Sequence, residues 1–370
     1  MKRIIAYIVL FIALALYAVS CSNLLSEKYT DFRYNGNILF SYDKQRYGDL
    51  FGISFLPGYK YESTKEPSYV SKQKYNIPKI VDLYMINDSY LGFHLALDSN
   101  FSDMSKLVHK DLFDTVAIKT VLDTNKVNIL LFEVSERYFR YISDSITLMK
   151  QVAVLKDRGL LQKKIQETIQ EKQAGIFSDI VSYIFNPQTN QNLEFNTFDY
   201  HFITPIRELK AQLNYKLFNR TSKEVVVSDH NLYFAETIDT TLKSSSFNPL
   251  PDEEVMQTIA YLNASYKYYK RLGFDEVYFT IVPNPVSILC PERSKYNNLI
   301  PKITHNPDLK MPMIDLFDIF MKSPTPVYYR SDTHWNEDGF TIWLNEFHKR
   351  VYNLILQRSK NPCKVVGPNT

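Results

Sequence analysis

Ser331-Asp332-Thr333-His334-Trp335-Asn336, near the C-terminal end of the chain, sets a carboxylate and an imidazole one residue apart. On a loop, that spacing lets the two side chains turn towards one another. The acid then fixes the imidazole's tautomer and stabilises its protonated form. Such a pair needs a nucleophile before it can move an acyl group. Asn87-Asp88-Ser89, directly after the apolar run Ile80–Ile86, supplies one. A serine hydroxyl attacks effectively when a neighbouring base accepts its proton. Ser89 as nucleophile, His334 as base and Asp332 as orienting acid therefore point to Ser-His-Asp chemistry. Taken singly, Ser89 reads more simply as a helix cap and His334 as a satisfied surface or core histidine. Together the two segments favour the catalytic role.

A triad split between the first quarter and the tail needs a scaffold that joins them. Ile80–Ile86, Val127–Val134 and Glu276–Val282 read as buried strands, with Pro312–Leu316 and Pro326–Tyr329 as shorter ones. Helical patterns follow at Leu91–Leu97, from Glu136, from Gln151 to about Phe185, at Asp252–Leu272 and at Asp338–Ile355. Strands alternating with helices predict an α/β fold, a mostly parallel sheet with helices on both faces. Ser89 then sits at a strand-to-helix turn, its hydroxyl exposed and the helix's unbonded N–H groups pointing towards it. The triad falls at the sheet edge where open α/β folds bind ligands. Val225–Val227 and Leu232–Phe234 flank Asp229-His230-Asn231 as a hairpin. Asp252 is a candidate N-cap with Glu253 and Glu254 in the first turn, and Gly273 ends that helix. Asn336 is placed to cap the last helix, with Glu337 and Asp338 following.

The N-terminus reads as a targeting segment. Met1-Lys2-Arg3 is basic and Ile4–Ser20 is apolar without charge. Cys21 follows the small Ser20 and resembles the lipid-modified cysteine of bacterial lipoproteins, although Ala18 stands where such signals carry Leu. The alternative is an uncleaved anchor, near the lower limit of about 17–25 residues for a span. Both readings place the folded part outside the cytoplasmic membrane and tether it. The expected organisation is a signal or anchor at 1–21, an irregular lead-in at 22–79 and a main domain at 80–149 and 221–358. A largely helical insertion occupies 150–220, and a tail 359–370. Cys290 and Cys363 allow a disulfide in an oxidising compartment or two buried thiols. No Cys/His spacing suggests a metal. Forty-three Lys and Arg against 40 Asp and Glu leave a formal charge of +3 with no basic block. That argues against a nucleic-acid partner. Tyr (27) and Phe (24) are plentiful and Gly scarce (10), which suits either a carbohydrate-facing surface or a large core.

Asp332-Thr333-His334-Trp335-Asn336, followed by Gly339, resembles the Asp-Thr-His-Trp signature of the alginate O-acetyltransferase-like branch of the SGNH hydrolase superfamily. Asn87-Asp88-Ser89-Tyr90 resembles its Gly-Asp-Ser-Phe nucleophile block, and Phe132–Tyr138 its Trp-Glu-x-Pro-Glu-Arg-Tyr segment. Asp229–Phe234 is weakly similar to its Lys-Asp-Gly-Trp-Leu-Phe hairpin. Val282-Pro283 with Pro291-Glu292 is similar to its strand exit. The resemblance implies an SGNH-type, flavodoxin-like sheet. It departs from the branch in three ways. Ser89 precedes Asp332 and His334 in the chain, Asn87 replaces a Gly, and Pro285 replaces a Lys. No Gly lies between Gly92 and Gly159 to serve as the usual oxyanion donor. Arg137 falls near the position of the family's third-block Asn. It is therefore a candidate for holding the oxyanion or a substrate acid group, supported by Glu133 or Glu136; a structural ion pair is the competing role. Trp335 is a candidate sugar-stacking wall or a core residue that orients His334, and Asn336 is a substrate-side candidate or a helix cap.

These residues predict an extracytoplasmic, membrane-tethered enzyme that transfers or removes an acetyl-type ester on a cell-surface or secreted polysaccharide. By the resemblance, a transferase would take its acyl group from a membrane-bound O-acyltransferase, and no soluble cofactor is implied. Two other readings stay open: a carbohydrate or lipid esterase on the same triad, and a non-catalytic surface lipoprotein that keeps the fold.

Overall fold

The computed structural model describes residues 2–22, 25, 26, 28, 40–61, 75, 77–95, 98–142, 145–155, 189–228 and 230–360. Its centre is a five-stranded, wholly parallel sheet built from β1 (Val81–Asn87), β2 (Lys106–Asp111), β4 (Val127–Ser135), β8 (Glu276–Val282) and β9 (Met313–Ile314). The spatial order is β2-β1-β4-β8-β9. Counted within the sheet, that is the 2-1-3-4-5 order of flavodoxin-like folds. β1 and β4 are buried along their whole length, which is why their sequences read as continuous apolar runs. β2 escapes sequence reading because it is an edge strand whose polar residues, Lys106, His109, Lys110 and Asp111, break any apolar run. Leu83, Ile86, Ile129, Leu131 and Phe279 sit at the centre of the core, which extends to Trp343 and Phe347 of the last helix.

Helices flank this sheet. In chain order they are α1 (Lys2–Cys21), α2 (Asp43–Tyr47), α3 (Asp49–Ser54), α4 (Ser89–Leu95), α5 (Glu136–Ile142), α6 (Ser145–Met149), α7 (Thr189–Phe198), α8 (Thr204–Phe218), α9 (Asp252–Arg271), α10 (Pro285–Leu289), α11 (Leu299–Thr304), α12 (Phe317–Met321) and α13 (Glu337–Lys360). Two small sheets complete the described chain. β3 (Ile118–Thr120) pairs in parallel with β5 (Val152–Val154), and β6 (Val225–Ser228) pairs antiparallel with β7 (Asn231–Phe234).

Several expectations need correction. Residues 152–154 form a strand rather than the start of a helix, because their backbone pairs in parallel with β3. The helical pattern beyond them, at 156–188, lies outside the described residues, as do Asp229, Cys363 and the end of the tail. Residues 326–329 make only a single bridge, Tyr328 to Trp335, and join no sheet. Asp252 is the first residue of α9, not its cap; Pro251 occupies the cap position and Asp252 pairs with Lys302.

α1 is long and apolar enough to cross a membrane; its 20 residues span about 30 Å. Its end is gripped by α7. Asn192 Nδ2 donates to Ser20 O and Asn196 Nδ2 to Ser20 Oγ, each at 3.0 Å. Cys21 is buried there. Residues 40–61 are more ordered than an irregular lead-in: Leu50 and Leu56 pack with Val225 and Leu232 of the hairpin.

Candidate active site

β1 delivers Asn87-Asp88 to its C-terminal edge, and the chain turns at once into α4 with Ser89 at its first position. β4, the neighbour on the other side, opens into α5. The strand order reverses between these two, so Ser89 stands at the crevice where parallel sheets of this order take ligands. The Asp332–Asn336 loop reaches the same point from the far end of the chain. Ser89 Oγ lies 2.9 Å from His334 Nε2. His334 Nδ1 lies 2.6 Å from Asp332 Oδ1. A carboxylate can only accept, so Nδ1 carries the proton it donates to Asp332. The Nε2 lone pair then faces the serine hydroxyl. His334 also donates its backbone N–H to Asp332 Oδ1 at 2.9 Å. The loop thus closes on itself as the one-residue spacing requires.

The loop is held from outside by a segment that carries no sequence signal. Asp49 donates its N–H to Asp332 Oδ2 at 3.0 Å. Its carboxylate accepts Thr333 N–H at 2.9 Å and Thr333 Oγ1–H at 2.6 Å. Ser331 Oγ donates to Tyr47 O at 2.6 Å, and Phe51 donates its N–H to Ser331 O at 3.1 Å. Gly48 has φ +103°, and a Cβ there would fall 2.3 Å from Ser331 O. Only glycine permits so close a pass. Burial, and next the neighbouring Asp332, push the Asp49 carboxyl above the usual carboxylate range; His334 and the Thr333 donors oppose that.

The nucleophile turn is held from within the sheet. Asp88 accepts Tyr90 N–H at 2.9 Å and Ser135 N–H at 2.7 Å, tying the ends of β1 and β4 together. Asp88 in turn donates its own N–H to Glu133 at 3.0 Å. Burial, then the adjacent Asp88 charge, raise the Glu133 carboxyl well above its usual range. Asn87 closes β1 without left-handed backbone and donates Nδ2 to Asp88 O at 2.8 Å. This position therefore requires no glycine. Tyr90 joins the halves of the site: it donates its hydroxyl to Thr333 O at 2.7 Å and packs on the His334 and Trp335 rings.

A shallow pocket lies beside the triad. Tyr90 and Thr333, the neighbours of Ser89 and His334, line it with Arg137, Phe234, Asn284 and Pro285. Arg137 stands over the Tyr138 and Phe234 rings and pairs with Glu236 at 3.4 Å. Its expected supports do other work. Glu133 holds Asp88, and Glu136 accepts Asn284 N–H and Ser287 Oγ–H, each at 2.8 Å. Trp335 is 1% exposed and packs among Tyr90, Phe340 and Trp343. It orients the loop from the core and offers no wall to a sugar. Asn336 accepts Gly339 N–H at 3.0 Å and donates Nδ2 to Pro326 O. Its side chain is spent on capping α13. A Cβ at Gly339 would lie 2.4 Å from Val327 O, which explains the glycine that follows the Asp-Thr-His-Trp run.

Among the described residues, two groups have metal-compatible side chains. The first is Asp49, Asp332 and His334, whose atoms are engaged with one another and with Thr333. The second is His305, Asp315 and Asp318, of which Asp315 is half-buried and the other two exposed, with a 3.1 Å contact between His305 and Asp315. Asp49, Asp88 and Tyr90 were not singled out by sequence reading. Asp88 and Tyr90 at least flank Ser89, whereas nothing local marks Asp49. Comparison with protein-family models, with curated proteins and with solved structures gives no match.

Proposed function

We propose that this chain is an acyl-ester enzyme of SGNH type, tethered by α1 outside the cytoplasmic membrane, which moves an acetyl-type group to or from a surface or secreted polysaccharide. The observation that carries this reading is the unbroken line from Ser89 Oγ through His334 to Asp332, at 2.9 and 2.6 Å, on the C-terminal edge of a parallel sheet. Ser89 Oγ attacks the acyl carbonyl carbon while its proton passes to His334 Nε2. Asp332 stabilises the resulting imidazolium. Collapse breaks the bond to the donor oxygen, which takes that proton, and leaves the acyl group on Ser89. An acceptor hydroxyl then attacks the Ser89 ester, again giving its proton to Nε2, and Ser89 is released. Arg137 supplies positive charge to the pocket beside the reacting carbonyl. The acceptor, glycan or water, separates transferase from esterase.

A serine-directed fluorophosphonate tests the reading on the whole chain. Labelling of the parent and its loss in Ser89→Ala and His334→Ala are expected. A folded parent that resists the probe and releases no acetate from acetylated glycans would overturn it in favour of a surface lipoprotein without catalysis. Acetate release without added glycan acceptor would identify the esterase.

A further inference from the structure

α8 is turned the wrong way round for a helix that packs on a soluble domain. Its inner side carries Glu208, Ala211 and Tyr215. Ala211 and Tyr215 touch the small core at the hairpin, and Glu208 meets Lys60 at 2.7 Å. Its outer side carries Ile206, Leu209, Leu213 and Leu217, exposed by 66, 58, 48 and 68%. Spacings of three and four residues align these four in one stripe, about 16 Å long at 1.5 Å per residue. Lys210 and Lys216 flank the stripe, and Arg220 and Lys223 follow it, all exposed. Phe202, two residues ahead of α8, is also 66% exposed. A continuous apolar ridge of this kind marks a contact surface. An apolar face rimmed by Lys and Arg is the composition of helices that lie in the headgroup layer of anionic lipid.

The position of the ridge selects its occupant. α7 holds the end of α1 through Asn192 and Asn196, and only residues 199–203 separate α7 from α8. We propose that the outer face of α8 lies in the interfacial layer of the same anionic bilayer that α1 enters. The tether then becomes a two-point mount that restricts how the catalytic crevice is turned relative to the membrane. This rests on the reading of α1 as the retained membrane segment.

Depth-dependent quenching tests it on the full chain in mixed phosphatidylcholine and phosphatidylglycerol vesicles. With Cys363→Ser to remove the tail thiol, an environment-sensitive NBD fluorophore is placed in turn at Leu213→Cys, at Leu10→Cys in α1 and at the exposed Lys243→Cys. Lipids bearing a quencher near the glycerol backbone should reduce emission at 213, lipids quenched deep in the chain should reduce it at 10, and neither should affect 243. Lys210→Glu with Lys216→Glu should weaken the signal at 213 alone. Quenching at 10 but not at 213 overturns the mount and leaves the tether standing. Quenching at neither overturns both. Blue-shifted emission at 213 without lipid quenching shows that protein covers the ridge, from this chain or a second copy, and also overturns it.

Discussion

Two of the histidine–aspartate pairs among the described residues have histidines only fourteen residues apart in sequence, and they differ in everything but residue type. His334 and Asp332 meet at 2.6 Å, Asp332 is further held by Asp49 N–H, and the far ring nitrogen faces Ser89. His348 and Asp103 are 3.6 Å apart, beyond hydrogen-bond range, and His348 is fully buried on the inner side of α13. Burial lowers His348 to about 4 and raises Asp103 to about 6. Around pH 5 both are therefore neutral, and neither helps the other to carry charge. The difference is one of setting: one imidazole has an acid fixed by donors on one side and a hydroxyl at its other nitrogen, the arrangement a general base needs, and the other has neither.

The comparison fails at once if the two histidines prove interchangeable. His334→Ala, like Ser89→Ala, should lower turnover of an activated acetyl ester by about 10^4-fold or more, and Asp332→Asn by a similar order. His348→Phe should leave the rate per folded molecule near that of the parent, measured after active-site titration. A middle-sized effect sharpens the contrast from the side of the clamp. Asp49→Ala removes both acceptors of Thr333 and should reduce kcat by about 10–100-fold, the scale of a small misplacement of reacting groups. Asp49→Asn, which keeps one acceptor, should recover part of that loss. Equal rates in Asp49→Ala and the parent would show that the loop holds itself.

The smallest effect is one of stability and concerns the buried pair. His348 has a lowered folded pKa, so it costs stability as pH falls from about 6.5 towards 4. Asp103 has a raised one, so it returns stability as pH falls from about 6 towards 4. In the parent these slopes nearly cancel. Asp103→Asn leaves His348 unopposed, and unfolding free energy should then fall by about 1.4 kcal/mol per pH unit across that window. Urea titrations at pH 7 and pH 4.5 measure it; parallel curves for parent and variant would refute the offset.

The contrast also separates what each region reveals in one dimension. The nucleophile turn is legible because its supports are local or lie on one buried strand: Asp88 and Tyr90 flank Ser89, and Glu133 ends an apolar run. The Asp-x-His loop is legible because its main bond closes within three residues. Trp335 and Asn336 follow the histidine directly, and of the two roles the sequence leaves open for each the structure takes the supporting one; the indole turns into the core and the amide caps a helix. Arg137 lines the pocket, but its ion-pair partner is Glu236, far downstream in the chain, rather than the neighbouring Glu133 or Glu136.

Continuous apolar runs determined the central strands, because strands buried on both faces have no polar alternation to hide them. The same one-dimensional pattern marked the membrane-length helix, and the one-residue spacing of Asp332 and His334 marked their loop. Tertiary structure alone decided that Gly48 and Asp49 brace Asp332 across 283 residues, that His348 is buried out of hydrogen-bond range of Asp103, and that α8 turns its leucines outward. Each of these depends on which surfaces meet after the chain has closed, and contact between distant segments leaves no period or spacing in the sequence.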